Sequence, residues 1–390
     1  MITIGIVAEW NPFHNGHQRL IDQIRADRPE AVIVSVMSGA FCQRGEVSCF
    51  DKWLRAEMAL AAGVDVVLEL PQVYATASLE GFARGGVATL LAFAPLDGLY
   101  CGSESGDLAA LTAQTDYLRA HQQEFDLAMR TAGENGMNYA QASQEFLRAA
   151  GFCSDKNTPN DRLALWYRMS LPREIPMQLV QRSVAHDASE AAAQTMSASA
   201  IRSHLPDRLN DIANYLPQTS LAIMRHALAN DWRPANEEKL LTALQVLCAA
   251  LEPEGLAKRL TIRDGWAPRL LAAVRAAESY DDLITRAQTR HYSRSRVRRL
   301  LLALLSPLPP APASPPFVRL LGASPRGRAL LKNRTSGVPL IVNVGRDQYQ
   351  LAPQERALLL ADIHRQTLAD LLCEKRPARD YYEAPRFIRS

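Results

Sequence analysis

The chain contains 390 residues, of which 47% are hydrophobic and 22% are charged, and its formal net charge is +3. These values are ordinary for a soluble globular protein, and the length predicts about two or three domains. No apolar run approaches the roughly 20 residues that a membrane-spanning helix needs, and no signal peptide precedes the first predicted strand. We therefore expect a cytoplasmic protein that makes no use of a membrane. The net charge alone is too small to indicate a nucleic-acid partner.

The six cysteines are scattered along the chain, and no two of them form a C-x-x-C pair. This spacing argues against a disulfide framework and against a zinc site, so we expect reduced thiols and no metal ligands. Reduced thiols agree with the expected cytoplasmic location.

Segments with the composition of strands alternate with amphipathic segments in the N-terminal part of the chain. Apolar runs predict strands over 2–7, 31–37, 64–70 and 97–101, and periodicity predicts helices from about Gly16, over 51–62 and over 79–93. This alternation with mostly apolar strands predicts a parallel sheet that is covered on both faces. Ligands bind beyond the carboxyl ends of such strands, so the turns that follow the strands should share one edge.

The rest of the chain is mainly helical. We predict about two or three helices over 108–151, a helix over 162–169, a fifth strand over 176–181, and helices over 219–229, 237–251, 267–277 and 300–305. Six prolines in residues 306–316 mark a connector, and strands over 318–321 and 340–344 would form a small terminal unit. The predicted fold is α/β: a Rossmann-like parallel sheet in residues 1–205, a mainly helical region in 206–305, and the connector with its terminal unit in 306–390.

Two histidines follow the first predicted strand in the sequence His14-Asn15-Gly16-His17. Free N–H groups and the helix dipole attract anions where a helix begins, and the three-residue spacing places both imidazoles on one face. The alternative is a helix start with two surface histidines. The preceding strand, the Pro-Phe entry and Gly16, which allows close backbone approach, favour a polyphosphate site instead. The imidazoles would then donate to charge that develops at the α-phosphorus of a nucleotide.

Other phosphate and nucleophile motifs are missing or incomplete. No P-loop occurs, and no G-x-G-x-x-G follows the first strand. The sequence of residues 102–106 has Glu104 where a nucleophile elbow needs serine. A second element, Ser197 to Arg202, offers hydroxyls and a guanidinium to a leaving pyrophosphate. Alone it is more typical of a capping serine before a helix, but its order after the histidine motif gives it weight.

Basic residues are concentrated in the C-terminal half. Residues 289–299 hold five arginines, and the last 27 residues interleave basic with aromatic side chains. Such mixtures can contact phosphates and stack on unpaired bases, although a solvated basic face explains the charge equally well. The same two interpretations apply to Lys52 and Arg55 at the start of the second predicted helix.

Several of these segments resemble the bacterial tRNA(Met) cytidine acetate ligase family of HxGH nucleotidyltransferases. Residues 9–17 are similar to its E-Y-N-P-F-H-N-G-H motif, with Trp10 in place of tyrosine, and residues 37–46 resemble its S-G-x-F-x-Q-R-G-E segment. Residues 102–104 look like its G-S-E turn, and residues 197–202 are similar to S-A-T-A-I-R. Residues 181–187 depart from its R-x-G-x-x-Y-H-D segment. The resemblance is strong over 1–205 and looser as far as 290–294.

This resemblance implies a ligase that works in two steps. Acetate would attack the α-phosphorus of ATP to give acetyl-adenylate and pyrophosphate. The amine of the wobble cytidine in elongator tRNA(Met) would then take the acetyl group and release AMP. It implies ATP and acetate as substrates, Mg²⁺ with ATP, no tightly bound cofactor and no obligate protein partner.

Three sets of site residues follow from the motifs and the resemblance. The catalytic set is His14, His17, Ser199 and Arg202. The ATP-binding set is Val7, Ala8, Glu9, Trp10, Asn11, Pro12, Phe13, Asn15, Gly16, Leu20, Gly102, Asn160, Arg182 and Ser183. The RNA-binding set is Lys52, Arg55, Arg290, Arg294, Arg296 and Arg298.

Three alternatives remain open from the sequence. The first is an adenylyltransferase that makes a nucleotide coenzyme, which would usually be a shorter chain. The second is an acetate ligase that acts on a protein thiol. The third is a non-enzymatic RNA-binding protein, which would need neither the histidines nor the Ser-x-Ser-x-x-Arg element.

Overall fold

The computed structural model describes residues 1–134, 137, 139–152, 159–182, 196–230, 232–262 and 265–388. Its strands are β1 (Thr3–Ala8), β2 (Val32–Ser38), β3 (Val66–Leu70), β4 (Gly98–Ser103), β5 (Met177–Gln181), β6 (Val318–Ala323), β7 (Leu340–Ile341) and β8 (Arg386–Phe387). The first nine α-helices are α1 (Asn15–Asp27), α2 (Lys52–Ala61), α3 (Gln72–Ala75), α4 (Leu79–Phe93), α5 (Leu108–Ala120), α6 (Gln122–Glu134), α7 (Tyr139–Ala149), α8 (Pro159–Ser170) and α9 (Ala198–Arg202).

The later helices complete the secondary structure of the described residues. They are α10 (Gln218–Asn230), α11 (Glu238–Cys248), α12 (Pro253–Leu260), α13 (Trp266–Ala276), α14 (Tyr280–Ala287), α15 (Arg294–Leu305), α16 (Pro325–Lys332), α17 (Val344–Asp347) and α18 (Pro353–Leu372). Short 3₁₀ segments lie at Leu209–Tyr215, Gln348–Gln350 and Arg379–Tyr381.

One mixed sheet organises the molecule, in the order β5-β4-β1-β2-β3-β6-β7, with β8 paired to β6. Strands β1 to β5 are mutually parallel because each is joined to the next through helical crossovers. From β1 the chain builds outward to β2 and β3, and then returns to build β4 and β5 on the other side. Neighbouring strands β1 and β4 therefore form the switch point at which such sheets bind ligands. This architecture confirms the predicted α/β fold.

Strand residues point alternately to two apolar layers, as the period of a strand requires. Ile4, Ile6 and Ile33 face the layer that contains α1, α2 and α10. Val7 and Val34 face the opposite layer, which contains α4, α5 and α8. Apolar side chains on both faces explain why these strands read as near-continuous apolar runs.

Helices α11 to α15 surround a separate apolar core that includes Leu244, Leu270 and Leu301. Ala40 and Phe41, which follow β2, insert into this core from the sheet. The helical character of this region agrees with its sequence pattern, while the predicted boundaries at 205 and 305 stay predictions.

The last segment of the chain extends the sheet. Strand β6 pairs antiparallel with β3, and β7 and β8 pair with β6. The predicted terminal unit therefore shares the sheet of the N-terminal region. Antiparallel pairing at this edge could not be expected from the local pattern, because β3 and β6 are separated by most of the chain.

No helix in the described ranges combines the length and the apolar character needed to cross a membrane. The five cysteines within those ranges are free, and Cys153 lies outside them.

Candidate active site

The two motif histidines lie at the start of α1, after the turn that follows β1: His14 caps the helix and His17 is in its first turn. The Nδ1 atom of His14 accepts a hydrogen bond from the N–H of Gly16 at 3.0 Å, and Nδ1 of His17 accepts from the N–H of His14 at 3.2 Å. The two rings are stacked with centroids 3.7 Å apart. Because each Nδ1 accepts, the neutral form of each imidazole carries its proton on Nε2. Each histidine thus offers one N–H donor.

Both imidazoles are neutral at physiological pH. Burial lowers the pKa of His14 to about 3, and the positive charge of Arg182 adds to this effect. Burial also lowers the pKa of His17 well below its usual value, with contributions from His14 and Arg182. The arrangement can therefore stabilise negative charge through hydrogen bonds from neutral rings, with positive charge supplied by the nearby guanidinium.

An aromatic wall holds His17 in place. The Trp10 ring meets the His17 ring edge-on at 4.7 Å, and the Phe13 ring lies 5.4 Å from it. The indole N–H of Trp10 donates to the hydroxyl of Ser35 in β2 at 2.9 Å, which fixes the indole. Trp10 and Phe13 are almost fully buried. Trp10, the aromatic residue predicted beside the site, therefore packs directly against the His17 ring.

Arg202 of the second motif reaches the histidine turn. Its guanidinium donates to the backbone carbonyl of Asn11 at 2.9 Å and pairs with Glu46 at 3.4 Å. The two motifs, distant in sequence, thus come together as expected. Ser199 is exposed on α9. The Ser197 hydroxyl accepts from the N–H of Ala200 at 3.2 Å, so this serine is the helix cap that the alternative interpretation predicted.

Strand β4 supplies the other side of the switch point. The backbone N–H of Arg182 donates to the carbonyl of Ser103 at 2.8 Å. A Cβ on Gly102 would lie 3.3 Å from Cδ of Arg182, so the guanidinium stem crosses close above this glycine. Together with the effect of Arg182 on both histidines, this places the predicted residues Gly102, Arg182, His14 and His17 at one edge.

The predicted residue Asn160 takes part in a reciprocal network at the start of α8. Its side chain donates to Glu104 at 2.5 Å, and Glu104 also accepts from the N–H of Asp161 at 3.1 Å. Asp161 accepts in turn from the Ser103 hydroxyl and from the N–H groups of Glu104 and Ser105, at 3.1 and 3.2 Å. Sequence reasoning missed Asp161. Its signal was an acidic residue in the first turn of a helix, where it suits the dipole.

The other predicted ATP-binding residues line or support the same turn. Val7, Phe13 and Leu20 are buried in the apolar layers. Asn15 donates through its side chain to the carbonyl of Asn214 at 2.8 Å. Of the remaining positions, Pro12 is buried in the turn. The others are half-buried: Ala8 at the end of β1, Glu9 directly after it, and Gly16 in the first turn of α1. Ser183 lies outside the described residues.

Asn11 and Glu9 attach the turn to the segment after β2. The Asn11 side chain accepts from the N–H of Cys49 at 2.8 Å and donates to the sulfur of Cys42 at 3.3 Å. A carboxylate oxygen of Glu9 accepts from the N–H of Gln43 at 2.7 Å. These polar side chains therefore hold the protein's own backbone.

Lys52 is buried and cannot reach RNA, which corrects the expectation from the sequence. Its ammonium lies 2.8 Å from Glu69 and 2.7 Å from Asp380, and all three side chains are almost fully buried. Arg319 of β6 pairs with the same two carboxylates at 3.1 and 2.6 Å. Lys52 is thus one member of a buried ring of four charges.

Arg55 is also fully buried, so it too is removed from the RNA surface. Its guanidinium donates to the carbonyls of Glu9 at 2.7 Å and Ser38 at 2.9 Å, at the ends of β1 and β2. It also donates to the carbonyls of Gly39 and Phe50. Arg55 therefore holds two strand ends in register beneath the site.

The predicted arginines of the RNA-binding region differ in their surroundings. Arg290 and Arg296 are exposed, and the Arg296 guanidinium lies over the Tyr292 ring at 4.2 Å. Arg294 pairs with Asp281 at the surface. Arg298 is buried and pairs with Glu237 at 2.9 Å. Arg298 consequently has a structural role, and the expectation that it contacts RNA is wrong.

Comparison with known proteins places the chain in a defined class. The HIGH Nucleotidyl Transferase family model matches residues 1–383 of the chain. The chain therefore belongs to the HIGH nucleotidyl transferase family, in agreement with the histidine motif at the switch point.

Individual relatives identify a more specific family within the nucleotidyl transferases. A tRNA(Met) cytidine acetate ligase of Caldanaerobacter subterraneus subsp. tengcongensis is 30% identical, over 93% of this chain and 95% of the relative. The ligase of Streptococcus equi subsp. zooepidemicus (strain H70) is 35% identical, over 88% and 90% of the two chains. That of Syntrophotalea carbinolica is 33% identical, over 98% and 94%. The chain belongs to the tRNA(Met) cytidine acetate ligase family, which confirms the resemblance read from the sequence.

Solved structures agree with this assignment. Thermotoga maritima TmcAL bound with alpha-thio ATP is 26% identical to this chain, with a TM-score of 0.84 and full coverage of both chains. The apo form of the same protein gives a TM-score of 0.88, again with full coverage.

Proposed function

We propose that this protein is an ATP-dependent acetate ligase that acetylates N4 of the wobble cytidine of elongator tRNA(Met). The observation that carries the proposal is the pair of neutral histidines beside Arg182 and Arg202 at the switch point. They lie in a chain that aligns over nearly its whole length with ligases of that name. We further propose that the enzyme works in the cytoplasm without an obligate protein partner.

In the first step, a carboxylate oxygen of acetate attacks the α-phosphorus of ATP and pyrophosphate leaves. Negative charge grows on the phosphate oxygens, and the Nε2–H groups of His14 and His17 are placed to donate to it. One such preorganised donor contributes about 2.7–4 kcal/mol to the transition state. Arg202, with Ser199, would hold the β- and γ-phosphates that become the leaving group. No proton has to move in this step, which suits neutral imidazole donors.

In the second step, the cytidine amine attacks the acetyl carbonyl, AMP leaves and the amine loses a proton. Gly102, near the end of β4, and Asn160, at the start of α8, would seat the adenosine. Arg182 would face the phosphate of the adenylate. Mg²⁺ usually binds substrate phosphates and few carboxylates, so we propose that it arrives with ATP.

The test separates the two half-reactions. Exchange of labelled pyrophosphate into ATP reports the first step and needs acetate but no RNA. We expect His14→Ala and His17→Ala each to lower this exchange by about 100- to 1000-fold, while tRNA binding stays unchanged. His226→Ala, at an exposed position of α10, is the matched control. Unchanged exchange in either motif variant would remove the histidines from the site.

Labelled acetate identifies the acceptor. With ATP and a tRNA pool, we expect the label on the wobble cytidine of elongator tRNA(Met). Label on a protein thiol would instead support the thiol-acylating alternative. Transfer of AMP to a small phosphorylated acceptor, without any use of acetate, would support the coenzyme-forming alternative.

A further inference from the structure

A hairpin links the ATP site to the arginine-rich helix α15. Residues 40–48, here called the coupling hairpin, leave the carboxyl end of β2 and turn at Cys42–Gly45. The N–H of Cys42 donates to the carbonyl of Glu46 at 2.9 Å, and the N–H of Gly45 donates back to Cys42 at 2.8 Å. Phe41 and Val47 form a bridge across its two arms. The turn is therefore held by its own backbone bonds.

One side of the coupling hairpin contacts the histidine turn. The backbone of Gln43 donates to Glu9, which directly precedes Trp10, and Cys42 accepts from the Asn11 side chain. Glu46 pairs with Arg202, the guanidinium that also holds the carbonyl of Asn11. The hairpin position is thus coupled to groups proposed to bind ATP.

The other side packs against α15. Gly45 has a φ of +77°, and a Cβ there would lie 2.9 Å from the backbone nitrogen of Arg299. Arg299 donates to the carbonyl of Gln43 at 3.2 Å. Phe41, with no exposed surface, fills the core between α11 and α15. No other residue fits at Gly45, because both the backbone conformation and the close approach require glycine.

Arg44 occupies the tip between these two contacts. It is exposed, and within the described parts of the chain no carboxylate or carbonyl pairs with it. The site edge already has Arg182 and Arg202 for the phosphates of a nucleotide. On the other side, Arg299 of α15 bonds to Gln43, the neighbour of Arg44, and the exposed Arg296 lies one helical turn before Arg299. An unpaired guanidinium on a rigid turn is suited to a phosphate group.

We propose that Arg44 contacts a backbone phosphate of the substrate RNA and sets its distance from the adenylate. This inference rests on the proposed function, because it assumes that RNA enters between α15 and the ATP site. The contact gives Arg44 a positioning role: the coupling hairpin transmits the position of the RNA to Glu46, Arg202 and the histidine turn.

Arg44→Ala and Arg44→Lys test the inference in the full-length protein. Arg173→Ala is the control, since Arg173 is 71% exposed and lies before β5, at the opposite edge of the sheet. We expect Arg44→Ala to bind tRNA about tenfold more weakly, with a salt dependence of log affinity that is less steep by about 0.7–0.9. Arg44→Lys should keep most of the salt slope, and the control should match the wild type.

Acetate-dependent pyrophosphate exchange separates the possible outcomes. Unchanged exchange in Arg44→Ala, with weaker tRNA binding, supports an RNA phosphate as the ligand. Loss of exchange would show that Arg44 serves ATP, and equal tRNA affinity and salt slope would show that it serves neither; both overturn the inference. Absence of exchange in the wild-type protein would instead overturn the proposed function.

Discussion

Single hydrogen bonds decide which tautomer each of the two motif histidines adopts. Each Nδ1 accepts a backbone N–H, so each ring must present Nε2–H, and burial keeps both rings neutral. The H-x-G-H pattern alone predicted a phosphate-binding turn but not the tautomers. These depend on the directions of two N–H groups in the folded turn, which a residue pattern does not specify.

The low pKa of His14 makes folding stability depend on pH. An unfolded histidine binds a proton near pH 6.5, whereas folded His14 does so only near pH 3. The unfolded state therefore binds more protons between these values, and stability is lost as the pH falls below about 6.5. At pH 5.5 the low pKa of His14 reduces the free energy of unfolding by about 1.4 kcal/mol relative to its value at high pH.

Urea unfolding at pH 7.5 and 5.5 measures this dependence. The wild type should lose about 1.4 kcal/mol more of its unfolding free energy between the two values than His14→Asn does, because asparagine does not titrate. An equal loss in both proteins would contradict the burial of a neutral imidazole at this position.

At the scale of elements, α15 shows that a run of arginines in the sequence does not tell which of them are exposed. Arg296 lies at the surface, whereas Arg298 is buried. The sequence shows five arginines around the start of this helix but does not assign them to faces, because their partners, such as Glu237 before α11 and Asp281 in α14, are distant in the chain. Glu237 precedes α11 and pairs with Arg298 on the buried side. Tyr292 stacks on Trp266 of α13 at 4.0 Å and forms a platform under Arg296 on the exposed side.

The two faces of α15 should therefore respond differently to substitution. Arg298→Ala is expected to lower the free energy of unfolding by about 1–3 kcal/mol, since it leaves Glu237 without its partner. Arg296→Ala is expected to leave stability within about 0.5 kcal/mol and to weaken tRNA binding with a shallower salt slope. Urea unfolding and tRNA titration of both variants give each measurement an internal control. Equal effects of the two variants on tRNA binding would contradict this division.

At the scale of the whole molecule, buried charges join the end of the chain to its first strands. Lys52, Glu69, Arg319 and Asp380 form the ring described above, with ion-pair distances of 2.6–3.1 Å. Although burial acts in the opposite direction, Arg319 and Lys52 lower the pKa of Asp380. Asp380 is therefore held in its charged form, and both basic side chains of the ring pair with it.

Asp380→Asn should destabilise the protein strongly. It leaves a buried excess of positive charge, and removal of one partner from such a group costs about 3–5 kcal/mol. Glu383→Gln is the control, because Glu383 is a nearby but partly exposed partner of Arg379. Chemical unfolding of both variants measures the difference, and a similar small loss in each would show that the ring is dispensable.

The sequence predicted the parts of the fold whose information is local. Apolar runs and helical periodicity located β1 to β5 and α4, and the strand ends located the site edge. The burial of Lys52 and Arg55 could not be predicted in the same way. A lysine and an arginine at a helix start are typical of exposed positions, and here their partners, Asp380 and the carbonyls of two strand ends, are assembled only by the tertiary fold.

The position of β6 also affects the order in which the protein can be completed during synthesis. Until residues 318–323 have left the ribosome, β3 is the edge strand on its side of the sheet. Its unpaired backbone N–H and C=O groups can then pair with strands of other chains. The nascent chain already contains the histidine turn and the second motif at that stage. The two motifs are therefore made before β6, and protection of the β3 edge from misassembly depends on this later strand.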